Sequence, residues 1–220
     1  MARQERPGAR WWVPERPTPE LLRSGVESCK GCELYEDATH GVAGRGPQEA
    51  ALMVVGEQPG DQEDKAGEPF VGPAGKLLDR ALEEAGIDPA SVFRTNVVKH
   101  FRWERGRKGN RLHKGPTRAH VAACGPWLMA EIDMVRPEAI VLLGATAGKA
   151  VYGPAFRVGE SRGQRLEWPD AIGGTAVRHP PEWALATTHP SAVLRSRQRD
   201  EDLAALVSDL QVAGQLLADG

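Results

Sequence analysis

Apolar residues along this chain form two patterns, short runs and stripes with helical spacing. Short runs bounded by turn residues predict buried strands at residues 50–55, 92–98, 139–143 and 183–187. Between them, helical spacing predicts helices that begin near residue 19, at Pro73, near residue 118 and just after Gly144. Strands separated by helices in this rhythm favour a mostly parallel sheet that is covered by helices on both faces.

The length of the chain bounds its organisation. With 220 residues it can bury one good core, so we predict a single domain over residues 19–220. Residues 1–18 are rich in proline and arginine and lack periodicity, which favours a flexible N-terminal arm. The predicted fold class is α/β, with three α/β/α layers around a central sheet of four strands.

Composition indicates a soluble protein. Hydrophobic residues make up 40% and charged residues 26% of the chain, which is ordinary for a globular protein. The apolar runs are far shorter than the ~20 residues that a membrane span needs. The first residues also lack the apolar core of a signal peptide. We therefore expect a cytoplasmic protein, a monomer, with no membrane contact.

The net charge of −2 hides a strongly basic segment. From Arg94 to Arg118 there are nine lysines and arginines against one acid, Glu104, so this segment carries +8 and the rest of the chain −10. A basic insert on an acidic body indicates a polyanion at one face, because side chains that neutralise phosphates release bound counterions. The alternative is a solvated surface loop.

Three cysteines and one histidine could form a metal site that joins distant segments. Cys29 and Cys32 form a C-x-x-C pair, and His100 and Cys124 follow later in the chain. Three cysteines cannot all pair within one chain, and a reducing compartment leaves them as thiolates for metal. Zinc accepts this ligand set. Three unrelated buried thiols are the alternative.

Glycine-rich turns and polar residues follow three of the predicted strands. Ligands bind beyond the carboxyl ends of the strands in such sheets, so these residues should share one edge. Gly56 permits close approach of the backbone to a ligand, Phe70 offers a flat surface for stacking, and Asn96 and His189 offer polar groups. Each also has a structural alternative, because turn glycines, core phenylalanines and buried histidines are common.

Four ordered motifs carry a resemblance to a known family. They are GEQPG at residues 56–60, KAGEPFVG at 65–72, TNVVK at 95–99 and HPS at 189–191. Together with the four candidate ligands, they resemble the iron–sulfur uracil-DNA glycosylases, the fourth family of that superfamily. The resemblance covers roughly residues 25–217. It implies a four-stranded parallel sheet between helices, a 4Fe–4S cluster rather than zinc, and removal of uracil from DNA.

Two departures from that family point to one of its relatives. His100 stands where the family usually has a cysteine, and a longer basic loop ending in His113 separates it from Cys124. Both features resemble the X-type subgroup, which attaches itself covalently to the DNA that it has cleaved. The resemblance implies that His113 is the attaching residue and that Glu57 orients it. The alternative for His113 is a contact with a phosphate.

The uracil chemistry can be assigned to residues of the matching motifs. Phe70 would stack on the base, and the amide of Asn96 would donate to O4 and accept from N3–H. Gly56 and Gln58 complete the predicted uracil site. His189 would stabilise the negative charge that gathers on O2 as the glycosidic bond breaks. In better-known members of the superfamily an aspartate activates water, but Gln58 occupies that position and cannot act as a base.

Contacts with uracil-containing DNA, single-stranded as well as double-stranded, are predicted at two segments. The expected DNA-binding residues are Arg107, Lys108, Arg111, Lys114, Ser191, Leu194 and Arg195. Leu194 either wedges into the duplex or simply begins the last helix. Two other functions stay open, an iron–sulfur glycosylase that turns over and a metal-stabilised DNA-binding module without catalysis.

Overall fold

The structure, a computed structural model, describes residues 6–219. Eight α-helices and seven β-strands occur within those residues. In chain order they are α1 (Pro19–Glu27), β1 (Leu52–Gly56), α2 (Asp61–Ala66), α3 (Pro73–Glu84), β2 (Phe93–Asn96), β3 (Trp103–Arg105), β4 (Arg111–His113), α4 (Arg118–Val135), β5 (Ala139–Leu143), α5 (Gly144–Tyr152), α6 (Val158–Ser161), β6 (Arg165–Glu167), β7 (Trp183–Thr187), α7 (Pro190–Arg195) and α8 (Arg199–Ala218).

Five of the strands form one mixed sheet in the order β2-β1-β5-β7-β6. The first four are parallel, as predicted, whereas β6 runs antiparallel to β7. The predicted count of four strands missed β6, because this strand has only three residues, two of them exposed, and so lacks an apolar run. The carboxyl ends of the parallel strands, at Gly56, Asn96, Leu143 and Thr187, share one edge.

Helices cover both faces of the sheet, because alternate residues of a strand point to opposite sides. Met53 and Val55 of β1 belong to the core on the side of α4, which contributes Trp127. Leu52 and Val54 belong to the core on the opposite side, which is filled by leucines of α3 and α8. The prediction of a three-layer α/β/α fold is confirmed.

The basic insert folds as a hairpin, which the sequence did not predict. Strands β3 and β4 form a separate two-stranded antiparallel sheet in which Trp103 pairs with His113 and Arg105 with Arg111. Gly109, with a φ of 78°, permits the turn at the tip. We call residues 103–113 the basic hairpin. Its strands are too short and too polar to show the alternation typical of a half-buried strand.

The N-terminal arm lies against the body of the protein where it is described. Ala9 is 1% exposed and belongs to the core beside α4. The N–H of Gly8 donates to the carbonyl oxygen of Gly31 at 3.0 Å. Because these two small residues fit closely against the C-x-x-C loop, this part of the arm packs on the body, and the flexibility of the arm stays a prediction. Residues 1–5 of that arm lie outside the described residues.

No helix within residues 6–219 combines the length and the hydropathy that crossing a membrane requires.

Candidate active site

A cavity of about 320 Å³ opens at the carboxyl edge of the sheet. This volume lies at the lower end of the ~300–1,000 Å³ range of small-molecule sites. The walls combine residues beyond the ends of the parallel strands with one residue of the basic hairpin: Glu57, Gln58, Gly60, Glu63, Phe70, Ala74, Asn96, His113, Leu143, Gly144, Ala145, Thr146, His189, Ser191 and Arg195. The three residues predicted to be catalytic therefore share one cavity.

Three predicted recognition side chains converge on Gly56, the last residue of β1. A β-carbon on Gly56 would overlap Oδ1 of Asn96, and it would lie 2.9 Å from Cζ of Phe70 and 3.4 Å from Nε2 of His189. Only glycine leaves this space free. The stacking ring, the amide and the imidazole can therefore face one small ligand.

Phe70 adopts a left-handed backbone conformation, with a φ of 58°, that is uncommon for a bulky residue. The surroundings impose it. Any β-carbon on Gly75 would overlap the backbone of Phe70. The carboxylate of Glu63 also accepts the N–H of Gly72 at 2.8 Å and that of Gly60 at 3.1 Å. Conformations held in this way cluster at functional sites.

A buried ion pair supports the strand end that carries Asn96. Nζ of Lys99 lies 2.7 Å from Oε2 of Glu131, and the two side chains are 0% and 1% exposed. The same ammonium donates to the carbonyl oxygen of Asn96 at 2.7 Å and to Oγ1 of Thr95 at 2.6 Å. Glu131 also accepts the N–H of Gly44 at 2.8 Å. This network fixes the backbone from which the Asn96 side chain enters the cavity.

His189 enters the cavity just before α7. Its Nδ1 accepts the N–H of Ser191 at 3.1 Å, so a neutral ring carries its proton on Nε2, the nitrogen nearest Gly56. Burial, together with the nearby charges of Arg195 and His113, lowers the pKa of His189 to about 4. His189 is therefore neutral near pH 7, and its Nε2–H can donate to a ligand.

Arg111 ties the basic hairpin to α2. Its Nε lies 2.6 Å from Oδ1 of Asp61, and its Nη1 lies 2.6 Å from Oδ2 of Asp64. The guanidinium also lies 5.4 Å from the ring centre of Phe101 and 5.6 Å from that of Trp103. The side chain of Arg111 is 16% exposed and holds the hairpin, and its contact with DNA stays a prediction.

Gln58 connects the two ends of the hairpin. Its Oε1 accepts the N–H of Arg102 at 3.2 Å, and its Nε2 donates to the carbonyl oxygens of Arg102 at 3.1 Å and Lys114 at 3.2 Å. The same Nε2 lies 3.0 Å from Nε2 of His113. Gln58 thus lines the predicted uracil site, and its amide forms hydrogen bonds with the residues that flank the hairpin.

His113 reaches the mouth of the cavity from the end of β4. Its ring is 52% exposed, and its Nε2 lies 3.6 Å from Oε1 of Glu57, which is an ion-pair distance but too long for a hydrogen bond. The other carboxylate oxygen of Glu57 accepts a hydrogen bond from the hydroxyl of Thr146. The predicted pair of Glu57 and His113 is therefore adjacent, and a third residue fixes Glu57.

Two of the basic residues predicted to contact DNA lie exposed at the hairpin tip, and a third forms an ion pair. Arg107 and Lys108 are exposed there. Lys114 is exposed as well, but its ammonium lies 2.6 Å from Oε2 of Glu104. The hairpin therefore presents its tip, rather than its base, as the cationic surface.

The segment after His189 forms a short helix of its own, α7, rather than the start of α8. The role of Leu194 as a wedge stays a prediction. Leu194 packs partly against the core, and Arg195 is exposed beside the cavity. Ser191 lines the cavity, and its N–H donates a hydrogen bond to Nδ1 of His189. The proposed DNA contacts of α7 thus lie next to the cavity mouth.

The four predicted metal ligands are buried on the α4 side of the sheet. The three cysteines belong to one core, and His100 is 4% exposed. Two of the sulfurs accept N–H groups: Cys29 from Gly31 and from the Trp127 indole, both at 3.4 Å, and Cys124 from Lys99 at 3.2 Å. Donors of this kind stabilise sulfur that carries negative charge.

Burial keeps His100 and Cys124 uncharged near pH 7. Burial raises the pKa of the Cys124 thiol to about 12 and lowers the pKa of His100 to about 4. The imidazole is therefore neutral and able to coordinate, and the thiol would exchange its proton for a metal cation. Within residues 6–219, no group of three or more His, Cys, Asp or Glu side chains has an arrangement that could hold a metal ion.

Three parts of the site were not expected from the sequence: Thr146, Glu63 and the Lys99–Glu131 pair. Thr146 follows β5, and the rule that ligands bind at carboxyl strand ends could have identified it. Glu63 and Glu131 lie on helices, where no local pattern shows that an acid is buried.

Comparison with known proteins finds relatives that span most of the chain. The family model described as "Uracil DNA glycosylase superfamily" matches residues 43–211. A protein of Thermotoga maritima named type-4 uracil-DNA glycosylase is 38% identical over 182 residues, which cover 82% of this chain and 85% of that relative. Proteins of the same name from Pyrobaculum aerophilum and Archaeoglobus fulgidus are 36% identical over 180 residues (80% of this chain, 84% of the relative) and 33% identical over 198 residues (87% and 89%).

Proposed function

The chain belongs to the uracil DNA glycosylase superfamily, and on that premise we propose that it removes uracil from DNA by cleaving the N-glycosidic bond. The convergence of Phe70, Asn96 and His189 on Gly56 carries this proposal. An enzyme that acts on a base takes it out of the stack into a close-fitting pocket. A cavity of about 320 Å³ with one stacking ring and two hydrogen-bonding groups suits a single pyrimidine.

Selectivity for uracil comes from Asn96 and Phe70. The Asn96 amide donates to O4 and accepts from N3–H, whereas cytosine presents the opposite pattern at these atoms. The buried Lys99–Glu131 pair supports this role, because it holds the main chain of Asn96 in place. Phe70 supplies the flat surface on which the base stacks.

Bond cleavage is assisted by His189. As the bond between N1 and C1′ breaks, its electron pair moves onto uracil and charge gathers at O2. The Nε2–H of neutral His189 donates to this oxygen, and removing one such donor typically costs about 2.7–4 kcal/mol. The low pKa of His189, about 4, keeps the ring neutral during the reaction.

We further propose that His113 captures the cationic sugar. One ring nitrogen donates its lone pair to C1′ and forms a carbon–nitrogen bond, and the proton on the other nitrogen passes toward Glu57. A well-oriented group has an effective concentration on the order of 10⁵ M or more, which favours it over a water molecule that no base activates. The position of His113 beside Glu57 at the cavity mouth supports this step.

The cysteines and His100 are proposed to hold a 4Fe–4S cluster, which would cross-link the N-terminal segment to α4 and the end of β2. The N–H donors to Cys29 and Cys124 support thiolate ligands. Zinc is the alternative, and an absorption spectrum of the purified protein distinguishes the two.

DNA is proposed to lie across the cavity mouth. Arg195 lines the cavity, and the exposed cations Arg107 and Lys108 lie at the tip of the basic hairpin, whose other end carries His113. Single-stranded and double-stranded DNA both carry phosphates, so these contacts would form with either. Contacts to phosphates also do not depend on the base sequence. We propose Leu194 as the wedge that fills the space left by the extruded base.

A second candidate is a glycosylase that releases the abasic product and turns over. The names of the relatives favour it, since the proteins of Thermotoga maritima, Pyrobaculum aerophilum and Archaeoglobus fulgidus are all named type-4 uracil-DNA glycosylases. In that enzyme water rather than His113 would attack C1′ of the sugar cation. The two candidates share uracil excision and differ only in the fate of C1′.

A denaturing gel separates the candidates. The protein is incubated with a single-stranded oligonucleotide that contains one uracil, then boiled and resolved. We expect a shifted band for the wild type, and for His113→Ser loss of that band with some excision retained. Free abasic product without a shifted band would instead identify the turnover enzyme.

Two controls complete the experiment. His40→Ser removes an exposed histidine that contacts Glu27 and should cross-link like the wild type. An oligonucleotide without uracil should give neither product nor band. Equal binding to both oligonucleotides without uracil release would indicate a DNA-binding module, and a cross-link formed by His113→Ser would exclude His113 as the nucleophile.

A further inference from the structure

The carboxylate of Glu57 lies between two elements that approach it from different sides. Its Oε2 accepts a hydrogen bond from the hydroxyl of Thr146, in the first turn of α5. Its Oε1 lies 3.6 Å from Nε2 of His113, at the end of the basic hairpin. The two oxygens therefore have different partners, a fixed hydroxyl and the proposed nucleophile.

Thr146 is held rigidly. The next two residues in α5, Ala147 and Gly148, are buried, and a β-carbon on Gly148 would overlap the ring of Phe156. The helix cannot rotate or slide without breaking this packing. A threonine side chain is also stiff, because two heavy atoms on its β-carbon restrict χ1. Its hydroxyl is thus a donor in a defined position.

Glu57, in contrast, is partly open to solvent. Its side chain is 26% exposed, and it follows the last residue of β1. A glutamate that lacked the Thr146 hydroxyl could turn about its side-chain bonds into the cavity or toward solvent. The hydrogen bond to Oε2 determines which oxygen faces the hairpin.

We propose that Thr146 is a positioning residue that directs Oε1 of Glu57 toward His113 and so favours capture of the abasic sugar by His113 over its capture by water. This inference rests on the proposed function, because it concerns the step after uracil release. Thr146 also lines the cavity, but the role proposed for it needs no contact with the sugar or the base. It acts through Glu57 alone.

Paired substitutions test the hydroxyl. Thr146→Val removes it and keeps the shape of the side chain, and Thr146→Ser keeps it. Under single-turnover conditions, uracil release and cross-linked protein are measured in the same samples over time. We expect Thr146→Val to lower the rate of cross-linking relative to uracil release by about tenfold or more, which is the range of a hydrogen bond to a charged group. We expect Thr146→Ser to restore the ratio to within about twofold of the wild type.

A control and a second variant separate positioning from a general structural effect. Thr175→Val alters an exposed threonine in the turn before β7 and should leave the ratio unchanged. In a Glu57→Gln background, adding Thr146→Val should lower cross-linking no further, because residues that act through one another are not additive. Denaturant midpoints for each variant verify that the fold is intact.

The outcomes are distinguishable. A wild-type ratio in Thr146→Val, an equal defect in Thr146→Ser, or additive losses in the double variant would overturn the role of Thr146 and leave the proposed capture by His113 standing. A wild-type protein that releases uracil without any cross-link would overturn both.

Discussion

The base pocket and the basic hairpin meet at one cavity but are held in place by different interactions. The pocket is built on the carboxyl edge of the parallel sheet, and behind it the side chains of Lys99 and Glu131 are 0% and 1% exposed. The hairpin consists of two strands of three residues, and its His113 is 52% exposed. One region is part of the core, and the other is attached to it.

This difference assigns separate tasks to the two regions. Excision needs a pocket whose donors are in place before the base arrives, because preorganised donors need no rearrangement during the reaction. Capture needs a nucleophile near C1′ only after uracil has left. A substitution in the core network should therefore affect the whole protein, whereas one at an exposed residue of the hairpin should affect capture with little effect on the fold.

The largest effect is expected from Glu131→Ala. It would leave the ammonium of Lys99 buried without its carboxylate and remove the acceptor of Thr95 and Gly44. Breaking a buried pair in this way typically costs about 3–5 kcal/mol, which urea unfolding would measure. The matched control is Glu84→Ala, which removes an exposed pair with Arg80 and should cost less than about 1 kcal/mol. Equal losses of unfolding free energy in the two variants would show that the buried network stabilises the fold no more than an exposed ion pair does.

Arg111→Met should loosen the hairpin. The substitution keeps part of the apolar stem over Phe101 and removes the ion pairs with Asp61 and Asp64. We expect cross-linking to slow by about 10–100-fold, the equivalent of one or two charged hydrogen bonds, with a smaller change in uracil release. Arg105→Met, on the paired position of the exposed strand, should have little effect on either step. If uracil release fell as much as cross-linking, the two regions would not be separable.

The pH dependence of stability should show that His189 is neutral in the folded protein. The pKa of His189 is about 4 in the folded protein and 6.5 as its ordinary value, so between these values the unfolded chain binds the proton and the folded chain does not. Stability should therefore fall as the pH drops through this window, by about 1–2 kcal/mol from pH 7 to pH 5. Urea unfolding of the wild type and of His189→Asn over this range measures the difference. Identical pH slopes would contradict the buried, neutral state of His189.

The smallest effect is expected at the hairpin tip. Lys108→Ala removes an exposed cation that we propose to contact a phosphate. The slope of log affinity against log salt concentration should fall by about 1 for single-stranded or double-stranded DNA. Arg23→Ala, on the exposed side of α1, is the control and should not change the slope. An unchanged slope for Lys108→Ala would place the DNA away from the tip.

Much of the fold could be predicted because the relevant signals are local. The apolar runs located all four parallel strands, and the helical stripe from Pro73 located α3. Strand β6 and the hairpin strands were missed because three exposed or half-exposed residues carry no periodic signal. Their pairing depends on partners that are distant in the sequence.

The sequence predicted which residues lie at the candidate site, but not which contacts they make. Gly56, Phe70, Asn96 and His189 were named from the motifs, and they converge as expected. Arg111 and Gln58, predicted to bind DNA and uracil, also hold the hairpin in place, which the sequence did not predict. A sequence shows that a residue is cationic or polar, but not which nearby group satisfies it.

The linear chain was sufficient to locate the four parallel strands and to predict the α/β/α layering and the superfamily, because periodicity and ordered motifs are local properties. Which side chains meet became known only from the folded arrangement. It buried Lys99 against Glu131, fixed one oxygen of Glu57 on Thr146 and brought the other within 3.6 Å of His113. These contacts join residues far apart in the chain, and their energies depend on burial and distance, which no local pattern contains.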